Sequence, residues 1–176
     1  VWELIKFLRL KPNVSLFHPL SSELFNDVSM THFEPRNAYG LAKLVDYHSC
    51  RIACEFNDLN IDNCVMFNHE SIHRSGQFFS KKIIAGVLNN KVNKLQIYNA
   101  TSMRDWGYAP EFVNMIIRRE PKSGFKLSQL GTGQIFSVEQ FVDTVFEALN
   151  LDYSKSDSCG LLTWRSDQIT ISEQSR

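Results

Sequence analysis

Apolar side chains recur every three or four residues in some stretches of this chain and cluster into short runs in others. This alternation limits the fold more than any other feature. Leu4, Ile5 and Leu8 give one face to a helix over residues 2–10, and Val14 to Phe17 reads as a short strand. Leu41, Leu44, Val45, His48, Ile52 and Phe56 mark a long helix over 37–57, followed by an apolar strand over 62–67. A helix over 78–88 stops at Asn89-Asn90, and a strand follows over 95–98. Pro110 opens a helix over 110–119, in the first turn, where a missing N–H costs nothing. After a strand over 125–130, Ser137 is placed as N-cap of a helix over 137–150, with Gln140 positioned for a capping box. Residues 26–36 contain Pro35 and no period, and read as loop. Helix and strand in alternation predict an α/β fold with a largely parallel sheet. From Leu151 the period is lost, so 1–150 is expected as the folded body and the Ser- and Asp-rich residues 151–176 as an irregular tail.

Charge and length narrow the function classes. Nineteen Lys and Arg balance nineteen Asp and Glu in 176 residues, which argues against a nucleic-acid binder. No apolar run approaches the roughly 18 residues of a membrane span. The start, Val1-Trp2-Glu3, lacks a basic segment followed by an apolar one, so no signal peptide is read there. It also lacks Met, and the chain is expected to be a fragment or a processed piece. Cys50, Cys54, Cys64 and Cys159 form no C-x-x-C pair and are read as reduced, mostly buried thiols of a cytosolic protein. The sequons at Asn13 and Asn99 mean little without a secretory route.

Three local patterns carry possible chemistry. His69-Glu70-Ser71-Ile72-His73 matches the zinc-hydrolase pattern H-E-x-x-H, which needs a helix to bring both imidazoles to one metal. Here it follows a strand among Asn68, Ser71, Ser75 and Gly76, with no later His as third ligand, and a strand-to-helix loop is the better reading. Gly131-Thr132-Gly133 opens like a dinucleotide loop, but Phe136 stands where the third glycine is needed, so a tight turn is expected. Tyr39 and Lys43, four apart, share a helical face, and the ammonium favours the phenolate of a Tyr acting as base. Alone this pair is common. Ser21 and Glu23 at the end of the preceding strand, where α/β enzymes place catalytic groups, make it more than chance.

With these residues in place the sequence resembles a known family. Ser22-Glu23-Leu24, Pro35-Arg36, Tyr39-Gly40 with Ala42-Lys43, Phe67-Asn68-His69-Glu70-Ser71 with Arg74, Arg104-Asp105-Trp106-Gly107, Thr132-Gly133 and Ser137-Val138 occur in the order of the GDP-mannose 4,6-dehydratases. These belong to the extended short-chain dehydrogenase/reductases, and the resemblance covers about residues 1–150. It implies a partial Rossmann-like parallel sheet with part of a smaller substrate-binding domain. It also implies NADP as cofactor, GDP-mannose as substrate, and a homo-oligomer paired through the helix at 37–57 and its neighbour. By the same resemblance Ser21, Glu23, Tyr39 and Lys43 are catalytic, and Lys43, His69 and Arg74 contact NADP. Asn68 faces the nucleotide sugar, and Arg104 reaches its diphosphate. His73 then stands where the family has Arg, which accounts for the H-E-x-x-H match.

Departures from the family pattern set further expectations. No glycine-rich strand–turn–helix supplies the pyrophosphate cradle. Pro19 and Leu20 replace small residues before the catalytic Ser, Phe25-Asn26 replaces Tyr-Gly, and Asn37-Ala38 replaces Ser-Pro. The chain is therefore expected to lack most of the NADP-binding half and part of the C-terminal region, and to bind NADP weakly with little dehydratase activity by itself. A non-catalytic remnant that pairs with a full-length relative is the alternative.

Overall fold

The structure is a computed structural model and describes residues 1–25, 32–88, 94–120 and 123–166. In chain order it contains α1 (Trp2–Arg9), β1 (Ser15–Ser21), a 3-10 turn (Ser22–Leu24), α2 (Ala38–Asn57), β2 (Asn60–Met66), β3 (Asn68–Glu70) and α3 (Phe79–Leu88). Then come β4 (Lys94–Tyr98), β5 (Met103–Arg104), β6 (Trp106–Tyr108), α4 (Ala109–Ile117), β7 (Phe125–Leu130), β8 (Phe136–Ser137), α5 (Val138–Ala148), β9 (Ser154–Ser158) and β10 (Leu161–Arg165). Two compact units result: Val1–Asn68 with Ala109–Thr132, and His69–Tyr108 with the residues from Gly133 onward.

The first unit is the α/β body that the alternation predicts. Its sheet has strand order β1-β2-β7, all parallel, with Ser15 opposite Asn60 and Ser21 opposite Met66. Successive side chains of a strand point to opposite faces. Ile61 therefore packs with Ile5 and Leu8 of α1 and Cys50, Ala53 and Cys54 of α2. Cys64 packs on the other face with Phe112 of α4 and with Leu130. Helices on both faces explain why β2 is buried along most of its length. Strand β1 runs four residues past the apolar run at Phe17, because His18, Pro19 and Ser21 break the hydrophobic pattern but not the ladder. Pro19 is tolerated because, among the described strands, β1 has a neighbour on one side only.

His18 is buried beneath α2, with Nε2 3.7 Å from Asp46 Oδ2 and Asn63 opposite it on β2. Burial holds its pKa below the ordinary 6.5, outweighing the opposing pull of Asp46; the charges of Lys43 and the Val1 amino group also press it down. Above pH 6.5 the imidazole is neutral folded or unfolded. Below it, the unfolded chain takes up a proton that the fold resists. Stability should thus fall as pH drops from 6.5 toward the lower folded value. Urea unfolding between pH 7.5 and 5 checks this, with a flatter profile expected for His18→Gln.

The second unit holds an antiparallel sheet of order β4-β10-β9 and two short pairs, β3 with β6 and β5 with β8. Ile83 and Val87 of α3, Val142 and Phe146 of α5 and Trp164 of β10 form its core. This corrects the irregular tail expected from residue 151. Residues 154–165 form a hairpin whose second strand pairs on both edges. The sequence hides this hairpin because β9, Ser-Lys-Ser-Asp-Ser, is exposed throughout and shows no apolar alternation. Residues 167–176, residues 26–31 of the loop expected over 26–36, and the helix stop expected at Asn89-Asn90 lie outside the described residues.

Cys50, Cys54 and Cys64 are buried and Cys159 is exposed, all as free thiols. Burial pushes the Cys50 thiol up to about 12 and raises that of Cys54. Thiolates are the reactive species. A colorimetric thiol titration should therefore read one fast-reacting cysteine, Cys159, in the native chain and all four after unfolding. No described helix is long and apolar enough to cross a membrane.

Candidate active site

Ser21 and Glu23 stand where β1 ends and Tyr39 and Lys43 in the first turns of α2, and the start of α2 is bonded to that strand end. Ser21 closes β1 and caps the 3-10 turn, its Oγ accepting from the Glu23 N–H at 3.2 Å. The hydroxyl hydrogen is thereby left to donate elsewhere. Asn37 starts α2: its Oδ1 accepts from Gly40 N–H at 2.7 Å, and its Nδ2 donates to Glu23 Oε2 at 2.8 Å. Lys43 sits one turn further on. Its Nζ donates to the Pro19 carbonyl at 2.9 Å and lies 5.8 Å from the centre of the Tyr39 ring. The ammonium is thus pinned to the end of the strand beside the phenol. Asn68, two residues beyond Met66, emerges at the same end of the sheet, since β1 and β2 are parallel and Ser21 is opposite Met66.

Gly40 makes this junction possible. A Cβ there would run into the Glu23 carbonyl oxygen and crowd Pro35 Cβ. Backbone cannot step aside as a flexible side chain can, so the start of α2 or the 3-10 turn must move. Gly40→Ala should therefore destabilise the fold by about 1–3 kcal/mol by overpacking, despite the better helix propensity of Ala. Chemical denaturation checks this, and a variant as stable as the parent would show that the approach is not tight.

The second unit carries the remaining sequence-derived residues. His69 and Glu70 lie in β3 and are half-buried. The Arg74 guanidinium is 3.1 Å from Glu70 Oε2 and 3.6 Å from the centre of the Phe78 ring. Residues 69–70 are strand and 72–73 are turn, so His69 and His73 are not on one helical turn. The geometry that H-E-x-x-H chemistry demands is not formed, and no described cluster of His, Cys, Asp or Glu could hold a metal ion. Arg104 is exposed on β5, with Nη1 donating to the Met103 carbonyl at 2.8 Å. Asp105 is buried, and its Oδ2 accepts from Gly133 N–H at 2.9 Å. Gly133 has φ +76°, so the Gly131-Thr132-Gly133 stretch is a turn that spends this amide internally.

Asn37 and Gly40 were not singled out as site residues from sequence. The available signal was the N-cap preference for Asn just before a helical stretch.

A strand, a tight turn and a helix bearing Tyr and Lys at the carboxyl edge of a parallel sheet define a short-chain dehydrogenase/reductase-like class, and solved structures agree on the fold. The chain superposes on a UDP-N-acetylglucosamine 4-epimerase from Methanobrevibacter ruminantium with TM-score 0.76 at 16% identity, covering 86% of this chain and 52% of that one. It superposes on a dTDP-glucose 4,6-dehydratase from Bacillus anthracis, solved with NAD, with TM-score 0.74 at 13% identity, covering 84% and 50%. The model of the GDP-mannose 4,6 dehydratase family matches residues 1–173, and the chain belongs to that family. Its relatives include the GDP-mannose 4,6 dehydratase of Homo sapiens, 30% identical over 81% of this chain and 41% of that protein. The Vibrio cholerae GDP-mannose 4,6-dehydratase is 30% identical over 85% and 43%, and that of Drosophila melanogaster 28% over 85% and 40%. The chain thus spans about two fifths of the length of these curated relatives.

Proposed function

We propose that this chain carries the catalytic edge of a GDP-mannose 4,6-dehydratase. The observation that carries the reading is the junction of Ser21, Glu23, Tyr39 and Lys43, held together by Asn37 and by the Lys43–Pro19 bond. Tyr39 takes the proton of the C4 hydroxyl of GDP-mannose, and the Ser21 hydroxyl donates to the same oxygen. Glu23 removes the C5 proton, acidified by the ketone now at C4; the C6 hydroxyl leaves as water by taking up a proton, and a solvent-derived proton returns to C5 once C6 is reduced. Bound NADP⁺ would supply the hydride acceptor for C4 and return that hydride to C6. The product is GDP-4-dehydro-6-deoxy-D-mannose, a fucose precursor.

The residues present fit a nicotinamide cofactor. Lys43 has three N–H donors and gives one to Pro19, which leaves donors for ribose hydroxyls. The family resemblance gives NADP contacts to His69 and to Arg74, which stacks on Phe78. Asn68 is assigned to the sugar and Arg104 to the diphosphate, a task suited to a planar guanidinium. The NAD in a solved structure of similar fold supports the cofactor class; NADP follows from the family resemblance.

Incubation with GDP-mannose and NADP⁺ in deuterated water tests the reading. Because no glycine-rich pyrophosphate cradle is read in the sequence, the expected result is a slow loss of one water from the sugar nucleotide at high NADP⁺, with deuterium at C5, both blocked by Glu23→Gln. Dehydration that survives Glu23→Gln at full rate would refute the role of Glu23. No dehydration at any NADP⁺ concentration would favour a second reading, a chain that pairs with a full-length relative. That reading draws on Leu41, Val45, Ile52 and Phe56, exposed along α2. Size-exclusion chromatography with such a relative would detect the pair.

A further inference from the structure

The geometry points to Asn37 as the positioning residue of Glu23, an inference that rests on Glu23 being the base. Asn37 uses both ends of one planar amide. The oxygen starts α2 through Gly40 N–H, and the nitrogen holds the carboxylate through Oε2. The base is thereby tied to the first turn of the helix that bears Tyr39 and Lys43. A serine, the residue of the family pattern here, can cap a helix with its short hydroxyl but has no amide to extend to Glu23.

Glu23 needs such a hold. It sits on a three-residue 3-10 turn and is exposed, so an untethered carboxylate would spread over several rotamers. Three contacts fix it instead. Ser21 Oγ takes its backbone N–H, the bare Cα of Gly40 rests against its carbonyl, and Asn37 holds its Oε2. The remaining carboxylate oxygen is left to accept a proton. The donor is also neutral: Lys or Arg would place a positive charge on the base, whereas an amide orients it without one. Of these contacts, the Asn37 amide is the one that holds the carboxylate itself to the helix bearing the phenol.

Nuclear magnetic resonance on the labelled chain decides this without reference to turnover. In the parent, the Hα–Hβ couplings of Glu23 should report one dominant rotamer. The Asn37 side-chain amide should show a through-bond correlation to the Glu23 carboxylate carbon. Asn37→Ser keeps the cap, so Gly40 N–H exchange should stay within about twofold of the parent. The Glu23 couplings should average toward those of a freely rotating side chain. Asn37→Ala removes cap and clamp together, and Gly40 N–H exchange should accelerate on the order of fivefold. Glu23→Gln keeps an acceptor oxygen and should retain a through-bond correlation from the Asn37 side-chain amide to residue 23. Unchanged Glu23 couplings in Asn37→Ser would overturn the proposal and leave Asn37 a helix cap only. If the dehydratase reading itself failed, turnover would be absent while these couplings stayed as described, so the two failures are distinguishable.

Discussion

Replacing Tyr39 with phenylalanine should slow dehydration of GDP-mannose by roughly 10²–10⁴-fold, the usual contribution of a positioned general base. The substitution deletes one oxygen. The ring keeps its place near Lys43 Nζ, and Lys43 keeps its own bond to the Pro19 carbonyl, because neither contact uses the phenol oxygen. More than half of the Tyr39 side chain is exposed, so stability should stay within about 0.5 kcal/mol of the parent. A loss of rate at unchanged stability therefore reports chemistry rather than folding. Lys43→Met should act differently. It removes the ammonium from the phenol and also the bond that ties α2 to the end of β1, so both rate and stability should drop. The measurement is the rate of ketosugar formation beside urea unfolding for each variant. A Tyr39→Phe protein within threefold of the parent rate would remove Tyr39 from the mechanism.

The placement of the candidate residues was legible because they are local. Ser21, Glu23, Tyr39 and Lys43 lie within one strand–turn–helix stretch, and helical spacing alone places Tyr39 and Lys43 on one face. The helix at 37–57 could be read from its apolar period and was off by one residue at its start, where Asn37 is the cap rather than the first helical residue. The capping box at Ser137 and Gln140 formed as its spacing suggested. What stayed hidden depends on contacts between distant residues. The Asn37–Glu23 bond joins an N-cap to a carboxylate fourteen positions away, and no local pattern encodes it. Gly40 matters because of the Glu23 carbonyl, which the sequence cannot place. The family resemblance implied a second, smaller domain, but where the chain divides was hidden. The chain enters the second after Asn68, returns at Ala109 and leaves again after Thr132, so neither unit is continuous in sequence. The hairpin at 154–165 did carry one overlooked signal. Cys159 and Gly160 both have positive φ, as a two-residue type I′ turn requires, and Gly at the second of two turn residues favours it.

Trp164 is where that hairpin meets the core of the second unit, and Trp164→Ala should destabilise the protein by about 3–5 kcal/mol. The side chain is fully buried, packed with Ile83 and Val87 of α3 and Val142 and Phe146 of α5. Its Nε1–H also donates to Asp143 Oδ1 at 2.7 Å. The other Asp143 oxygen accepts from Lys155 Nζ at 2.7 Å, and Lys155 reaches Glu139 Oε1 at 2.6 Å. The indole thus joins an apolar contact to a polar chain that ties β9 and β10 to α5. Alanine leaves a large cavity and strips Asp143 of one donor. Trp164→Phe separates the two effects: it fills most of the volume and lacks the N–H, so about 1–2 kcal/mol should be lost. Urea unfolding followed by far-ultraviolet circular dichroism reads both variants, and Trp2 and Trp106 remain as fluorescent reporters. If residues 154–165 were the irregular tail that their composition suggests, Trp164→Ala would cost less than about 0.5 kcal/mol, as substitutions outside a packed core do. The same variant should expose the amides of β4, since β10 is that strand's hydrogen-bonding neighbour in the sheet. Faster hydrogen exchange at Leu95 and Ile97, whose amides face β10, in Trp164→Ala than in Trp164→Phe would place the loss in the packing of the indole rather than in its hydrogen bond.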